Sequence, residues 1–199
     1  MNEIDKFYTR DVVEFSKSYF NYLAELFKKI DLREIQSFVD TLLSAREAGS
    51  LIFFMGNGGS AATASHFAND LAIGTNDYEK PFKVMSITEN IPMITAISND
   101  YGYEEIFLRQ LKVYGKSGDI LVGISASGNS QNLINAFEYA SSAEIKTVAL
   151  TAFDGGKMKE IADQGIHIPT GEKEYGPAED LHMILDHLVG SYLTRLLKM

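Results

Sequence analysis

The chain lacks cysteine and tryptophan altogether and carries only 4 prolines in 199 residues. Without thiols it forms no disulfide and no thiolate metal site, which fits a reducing compartment. No apolar run approaches the roughly 20 residues that a membrane-spanning helix needs, and the charged N-terminus MNEIDKFYTRD has no apolar segment of the secretory kind. A soluble, cytoplasmic protein without a membrane partner is the expectation. Positive charge is also scarce. Against 27 Asp and Glu stand 18 Lys and Arg, a net charge of −9, with no dense basic cluster, and this argues against nucleic acid as a partner. No repeat of solenoid period and no low-complexity linker interrupts the chain, so one domain over residues 1–199 is expected.

What the sequence does contain is a pair of similar junctions. Leu51 to Ser60, LIFFMGNGGS, and Ile120 to Ser130, ILVGISASGNS, each read as a short buried strand, a Gly/Asn/Ser turn and a helix start. Such turns aim backbone N–H groups at a ligand, and the helix behind them adds free donors and a positive dipole end. Neither turn carries the lysine of GxxxxGK[ST] or the spacing GxGxxG. A neutral, hydroxyl-lined loop of this kind suits a monophosphate.

Around these junctions the pattern alternates. Residues from about Ile4 to Ile30 have apolar positions at helical spacing, with more aromatics than one face buries. The helix either packs across its own domain or also meets a neighbouring subunit. Asp31 is placed to cap a second helix that runs to about Ala48 and stops at Gly49. Beyond it, strands are expected at Leu51 to Met55, Phe82 to Ser86, Ile120 to Ile124, Thr147 to Leu150 and Gly165 to Ile168. The intervening helices are expected at Ala61 to Ala72, Asn90 to Ile97, Tyr103 to Leu111, Gln131 to Tyr139 and Lys157 to Ala162. A last helix covers about Pro177 to Leu197. Short apolar strands joined by helices imply a parallel sheet covered on both faces, with ligand outside the carboxyl ends of the strands. Residues 1–48 then form a helical segment for packing and oligomerisation, and 49–199 an α/β core. The loops GTNDYEKP and TGEKEYG, from Gly74 and Thr170, read as ordinary surface loops rather than pocket covers.

GNGGSAATASHFANDL, SNDYGYEEIF, GDILVGISASGNSQNLINAF, LTAFDGGKM and EDLHMILDHL occur in this order and span nearly everything after residue 50. Together they resemble the SIS (sugar isomerase) domain, and more closely the phosphoheptose isomerases that act on sedoheptulose 7-phosphate. The resemblance implies a three-layer, flavodoxin-like five-stranded parallel sheet and a homotetramer with sites at subunit interfaces. It also implies aldose–ketose isomerisation through an enediol, with Zn2+ in several members. The expected reaction makes D-glycero-D-manno-heptose 7-phosphate for lipopolysaccharide or capsule. Two alternatives share the fold: a non-catalytic adaptor like the protein that associates with the replication initiator, and a phosphosugar-sensing regulator. An adaptor would carry an incomplete catalytic set; a regulator would carry a DNA-binding domain.

Such an isomerase needs a phosphate anchor, a base at carbon and a group to polarise the carbonyl oxygen. Ser125, Ser127 and Ser130, with the N–H groups of Ala126 and Gly128, are the candidate anchor; the other reading of Ser130 is a helix cap. Asn57, Gly58, Gly59 and Ser60 on the first turn, and Asn99 and Asp100 by resemblance, are assigned to the sugar. His66 and Asp70 stand four apart on one helix face, as a ligand pair or as a surface ion pair. The family motif maps metal positions onto His66, Asp70, Glu179 and His187, the catalytic base onto Asp70 and an acid/base role onto His187. The family's usual glutamate base is here the shorter Asp70, its glutamine is Glu179, and its His or Asp after GNGGS are Ala61 and Ala62. Glu179, which also counts as substrate-binding, lies eight residues before His187, about 12 Å of helix rise. His182 and Asp186 read as polar-face residues of the last helix, with His182 in reserve as a ligand, and His167 as structural.

Overall fold

The computed structural model describes residues 2–198. Five parallel strands make the sheet: β1 (Leu51–Gly56), β2 (Lys83–Ser86), β3 (Ile120–Ser125), β4 (Lys146–Ala152) and β5 (Gln164–Ile168), in the order β2-β1-β3-β4-β5. This is the flavodoxin-like order, in which the chain reverses direction between β1 and β3 and opens a crevice there. The central strands are mostly apolar on both faces because they are covered twice. Ile52 and Phe54 of β1 point into one core with Val122, Ile124, Val148 and Leu150, while Phe53 and Met55 point into the other with Leu121 and Ala149.

The first core is closed by α2 (Val12–Phe27), α3 (Leu32–Ala48), α4 (Gly59–Asn69) and α9 (Tyr175–Leu196). The second is closed by α6 (Ile106–Tyr114), α7 (Gln131–Ser142) and α8 (Gly156–Ile161), with α5 (Ile91–Tyr101) at its margin. The cap at Asp31 is as expected: its carboxylate accepts from Arg33 N–H at 2.9 Å, and Gly49 ends α3 in the left-handed region. The strands also fall where the apolar runs place them.

Two expectations need correction. The single leading helix is two, α1 (Glu3–Phe7) and α2, because Asp11 caps a fresh start by accepting from Val13 N–H at 2.9 Å. The helix expected over Ala61 to Ala72 leaves α geometry at Asn69 and continues as a π-helical turn, Asp70–Gly74. Tyr19 donates to Asp180 at 2.5 Å, and Tyr22 donates to the buried Glu174. These bonds dock α2 on the N-cap and second turn of α9, which fixes where α9 enters the site.

Candidate active site

The two Gly/Ser turns leave neighbouring strands at the same rim, since β1 and β3 pair with Gly56 opposite Ile124. Asn57, Ser60, Ser125, Ala126, Ser127, Ser130, Tyr175 and Glu179 line a cleft of about 130 Å³ between them. Ser125 Oγ accepts from Gly128 N–H at 3.0 Å, and Ser127 Oγ accepts from Asn129 N–H at 3.3 Å. Ser130 sits at the N-cap of α7, yet its hydroxyl makes no capping bond; its carbonyl accepts from the Leu133 and Ile134 N–H groups, both at 3.1 Å. The cleft therefore holds a free hydroxyl at the positive end of a twelve-residue helix. Its lining contains no cation, so an anion there is held by neutral donors.

The first turn is shaped by glycine. Gly58 adopts φ 54°, and a Cβ on Gly59 would overlap the Glu179 carboxylate. Asn57 is engaged rather than free. Its Nδ2 donates to Asn132 Oδ1 at 3.0 Å, and its Oδ1 accepts from Asn132 Nδ2 at 2.9 Å and from Tyr103 OH at 2.8 Å. An amide pair thus ties the first turn to the start of α7, fixing the width of the cleft.

A second cluster lies where α4 packs along α9. His66 and His187 meet edge to face with their Nε2 atoms 3.2 Å apart. Asp70 Oδ1 is 3.6 Å and Asp186 Oδ2 4.0 Å from His66 Nε2, and one donor atom from each of the four lies within 4.8 Å of the others. Burial, and then the neighbouring Asp70, push the Asp186 carboxyl up to about 7. Both Asp186 oxygens are buried without a hydrogen-bond partner, an arrangement that costs several kcal/mol unless something compensates it. A bound cation would compensate it. Two imidazoles and two carboxylates are a suitable donor set for a divalent metal.

The chain matches the SIS domain model over residues 18–152. It belongs to the SIS domain family. It is 38% identical over 157 residues to the phosphoheptose isomerase of Helicobacter pylori, covering 79% of this chain and 81% of that one. It is 41% identical over 150 residues to the phosphoheptose isomerase of Akkermansia muciniphila, covering 75% and 78%. The structure of phosphoheptose isomerase from Neisseria gonorrhoeae superposes with a TM-score of 0.81 at 29% identity, over 92% of this chain and 98% of that one.

The SIS resemblance marks residues that the fold separates into two groups. Ser60, Ser125, Ala126, Ser127, Ser130 and Glu179 share the rim cleft with Asn57, and His66, Asp70 and His187 share the α4/α9 cluster. From Gly59 to His66 is about 10 Å along α4. Asn99 and Asp100 pair with each other at 2.8 Å on the exposed end of α5, and neither is among the residues lining the rim cleft. Glu179 is not among the four grouped residues; its carboxylate packs over Gly59 at the rim. His182 and Asp186 are not on a polar face, because both have 0% exposure. The signal for this lies in the sequence. Both fall in register with Leu181, Leu185, Val189 and Leu193, the buried stripe of α9. His167, on β5, accepts or donates at Nδ1 to Thr151 Oγ1 at 3.1 Å, within the sheet. The loop after Thr170 does more than cover surface: Thr170, Glu172, Lys173 and Tyr175 wall a hollow of about 400 Å³ together with Ser127 and Asn129, continuous in lining with the rim cleft.

Proposed function

We propose that the protein is a phosphosugar isomerase that converts sedoheptulose 7-phosphate into D-glycero-D-manno-heptose 7-phosphate through an enediol. The observation that carries this reading is the pairing of a hydroxyl-lined rim cleft with a His/Asp cluster about two helical turns away along α4, in a chain similar over 75–79% of its length to phosphoheptose isomerases. A seven-carbon sugar phosphate carries its phosphate and its carbonyl at opposite ends, as this spacing requires.

In this reading the phosphate rests on the Ser125, Ser127 and Ser130 hydroxyls and on N–H groups at the start of α7. Asp70 takes the proton from C1 of the open-chain ketose and returns it at C2, converting C2 from carbonyl to carbinol carbon. His187 moves the proton between the two sugar oxygens. Zn2+, held by His66, Asp70 and His187, would supply Lewis-acid polarisation of the carbonyl oxygen. An adaptor or sugar sensor of this fold has no need of that convergent set.

The oligomer belongs to the same reading. Val12, Val13 and Phe20 stand exposed on α2, and Ile184, Leu188 and Tyr192 form an exposed stripe beside His187 on α9. A homotetramer that covers both stripes would seal the cluster from one side. The product would feed heptose into lipopolysaccharide or capsule from the cytoplasm. The deciding experiment incubates purified protein with sedoheptulose 7-phosphate and follows the aldose by NMR, with and without chelator. Formation of the aldose is expected; unchanged ketose in the presence of Zn2+ would overturn the assignment.

A further inference from the structure

The geometry points to Asp186, not Glu179, as the fourth ligand of a divalent metal held with His66, Asp70 and His187. This rests on the isomerase reading only for its use, not for its geometry. Four ligands around zinc, with bonds near 2.0–2.2 Å, stand about 3.4 Å from one another. The observed separations from His66 Nε2 are 3.2 Å to His187, 3.6 Å to Asp70 and 4.0 Å to Asp186. They bracket that distance, and the four donor atoms all lie within 4.8 Å of one another, so small side-chain rotations would close the set around one ion.

Asp186 has no other evident use. Its side chain has 0% exposure, whereas that of Asp70 has 27%. A carboxylate sealed from solvent cannot take a proton from a sugar carbon; it can only serve a neighbour inside the protein. Its two oxygens lack any hydrogen bond, and a second carboxylate stands close by. In the low dielectric of the interior that pair is stable only if protonated or bridged by a cation. Glu179 is placed differently. It stands two turns earlier on α9, its carboxylate covers Gly59, and it lines the rim cleft with Ser127 and Ser130. There it faces sugar hydroxyls rather than the imidazoles. The two carboxylates divide the work: Asp186 neutralises the cation from behind, and the more exposed Asp70 keeps a face for the substrate.

The test is a calorimetric titration of chelator-treated full-length protein with ZnCl2, paired with the visible absorption of Co2+ in the same site. Wild type should bind one ion per chain. Asp186→Asn, which keeps shape and removes charge, should weaken Zn2+ at least tenfold and change the Co2+ spectrum; Glu179→Gln should leave both within twofold. Unchanged affinity in Asp186→Asn, or tenfold weakening in Glu179→Gln, overturns the assignment. Should Asp186→Asn not fold by circular dichroism, Asp186→Glu answers the same question: it displaces the carboxylate by one methylene and should weaken binding and shift the spectrum, and wild-type values overturn the proposal. Turnover of sedoheptulose 7-phosphate, read on the same samples, separates the two ideas. An isomerase whose metal ignores Asp186 removes the ligand assignment alone. A protein that binds Zn2+ through Asp186 yet makes no aldose removes the isomerase reading alone.

Discussion

Asp70 and Asp186 differ in one respect that decides their chemistry, namely access to solvent. Asp70 opens the π-helical turn, a geometry often found at functional positions because it re-aims a side chain within a helix. As the only carboxylate of the cluster with an open face, Asp70 is the base in the proposed mechanism. Asp70→Asn should therefore lower kcat by about 10²–10⁴-fold with little change in KM; a kcat within twofold of wild type would remove it from proton transfer. The anchor is tested separately. Ser130→Ala loses no capping bond, so the fold should be unaffected while KM for the sugar phosphate rises roughly tenfold or more, the worth of a hydrogen bond to a charged group. An unmoved KM places the phosphate elsewhere. His182 offers a pH prediction. Burial pushes its ring down to about 4 from 6.5. Neither nitrogen reaches a hydrogen-bond partner, though the nearby Thr151 backbone slightly favours the charged form. Between those values the unfolded chain binds a proton that the folded chain refuses, so stability present above about 6.5 is lost as pH falls towards about 4. Denaturant unfolding should show this slope in wild type and a flatter one in His182→Leu; parallel slopes would contradict it. His66 and Asp70 were legible in the sequence because helical spacing and motif agree, and His187 from the motif alone. Asp186 was not, since an acid beside a histidine invites the solvent face until the register of α9 is counted through Leu185 and Val189.

Elements were more legible than side chains, and the two rim turns explain why. An apolar run flanked by glycine and serine can be little other than a buried strand entering a turn, so β1 and β3 end where the pattern ends. What escapes such reading is coupling between turns. Asn132 and Tyr103 grip Asn57 from α7 and from the start of the α6 region, contacts made 75 and 46 residues apart with no local signature. The π turn was illegible for a similar reason: no glycine or proline interrupts Phe67 to Ile73, and the departure is imposed by packing against α9. The break between α1 and α2, by contrast, was written in Thr9 to Asp11 as a capping site inside an otherwise helical pattern. The second rim turn depends on Gly128. It holds φ +63°, and a Cβ there would overlap the backbone carbonyl of Gly155, which cannot swing away as a side-chain tip can. Gly128→Ala should cost about 1–3 kcal/mol in strain alone, lowering Tm by about 2–4 °C per kcal/mol, and should distort the serine cleft with it. A variant with wild-type Tm and KM would show that the turn tolerates an ordinary residue.

At the scale of the molecule, the rim cleft and the His/Asp cluster draw on the same two helices, α4 and α9, but share no lining residue within a single chain. Something must close the space above α4 and α9 if a base is to work away from bulk water. The exposed stripe Ile184, Leu188 and Tyr192 runs beside His187, and a second apolar surface, with Phe20 at 68% exposure, runs along α2. Scattered apolar residues need no partner, but two helical stripes on helices that touch the same core are the pattern of subunit contact. Assembly and catalysis should then fail together. If the proposed tetramer forms through this stripe, Tyr192→Glu, which places charge there without touching a proposed ligand, should shift the assembly to smaller species by light scattering and reduce turnover at saturating Zn2+. Phe20→Glu should loosen assembly with a smaller effect on turnover, because α2 borders the N-cap and second turn of α9 rather than the imidazoles. Wild-type protein that scatters as a monomer while isomerising at full rate would show instead that one chain completes the site, and that both stripes serve another purpose.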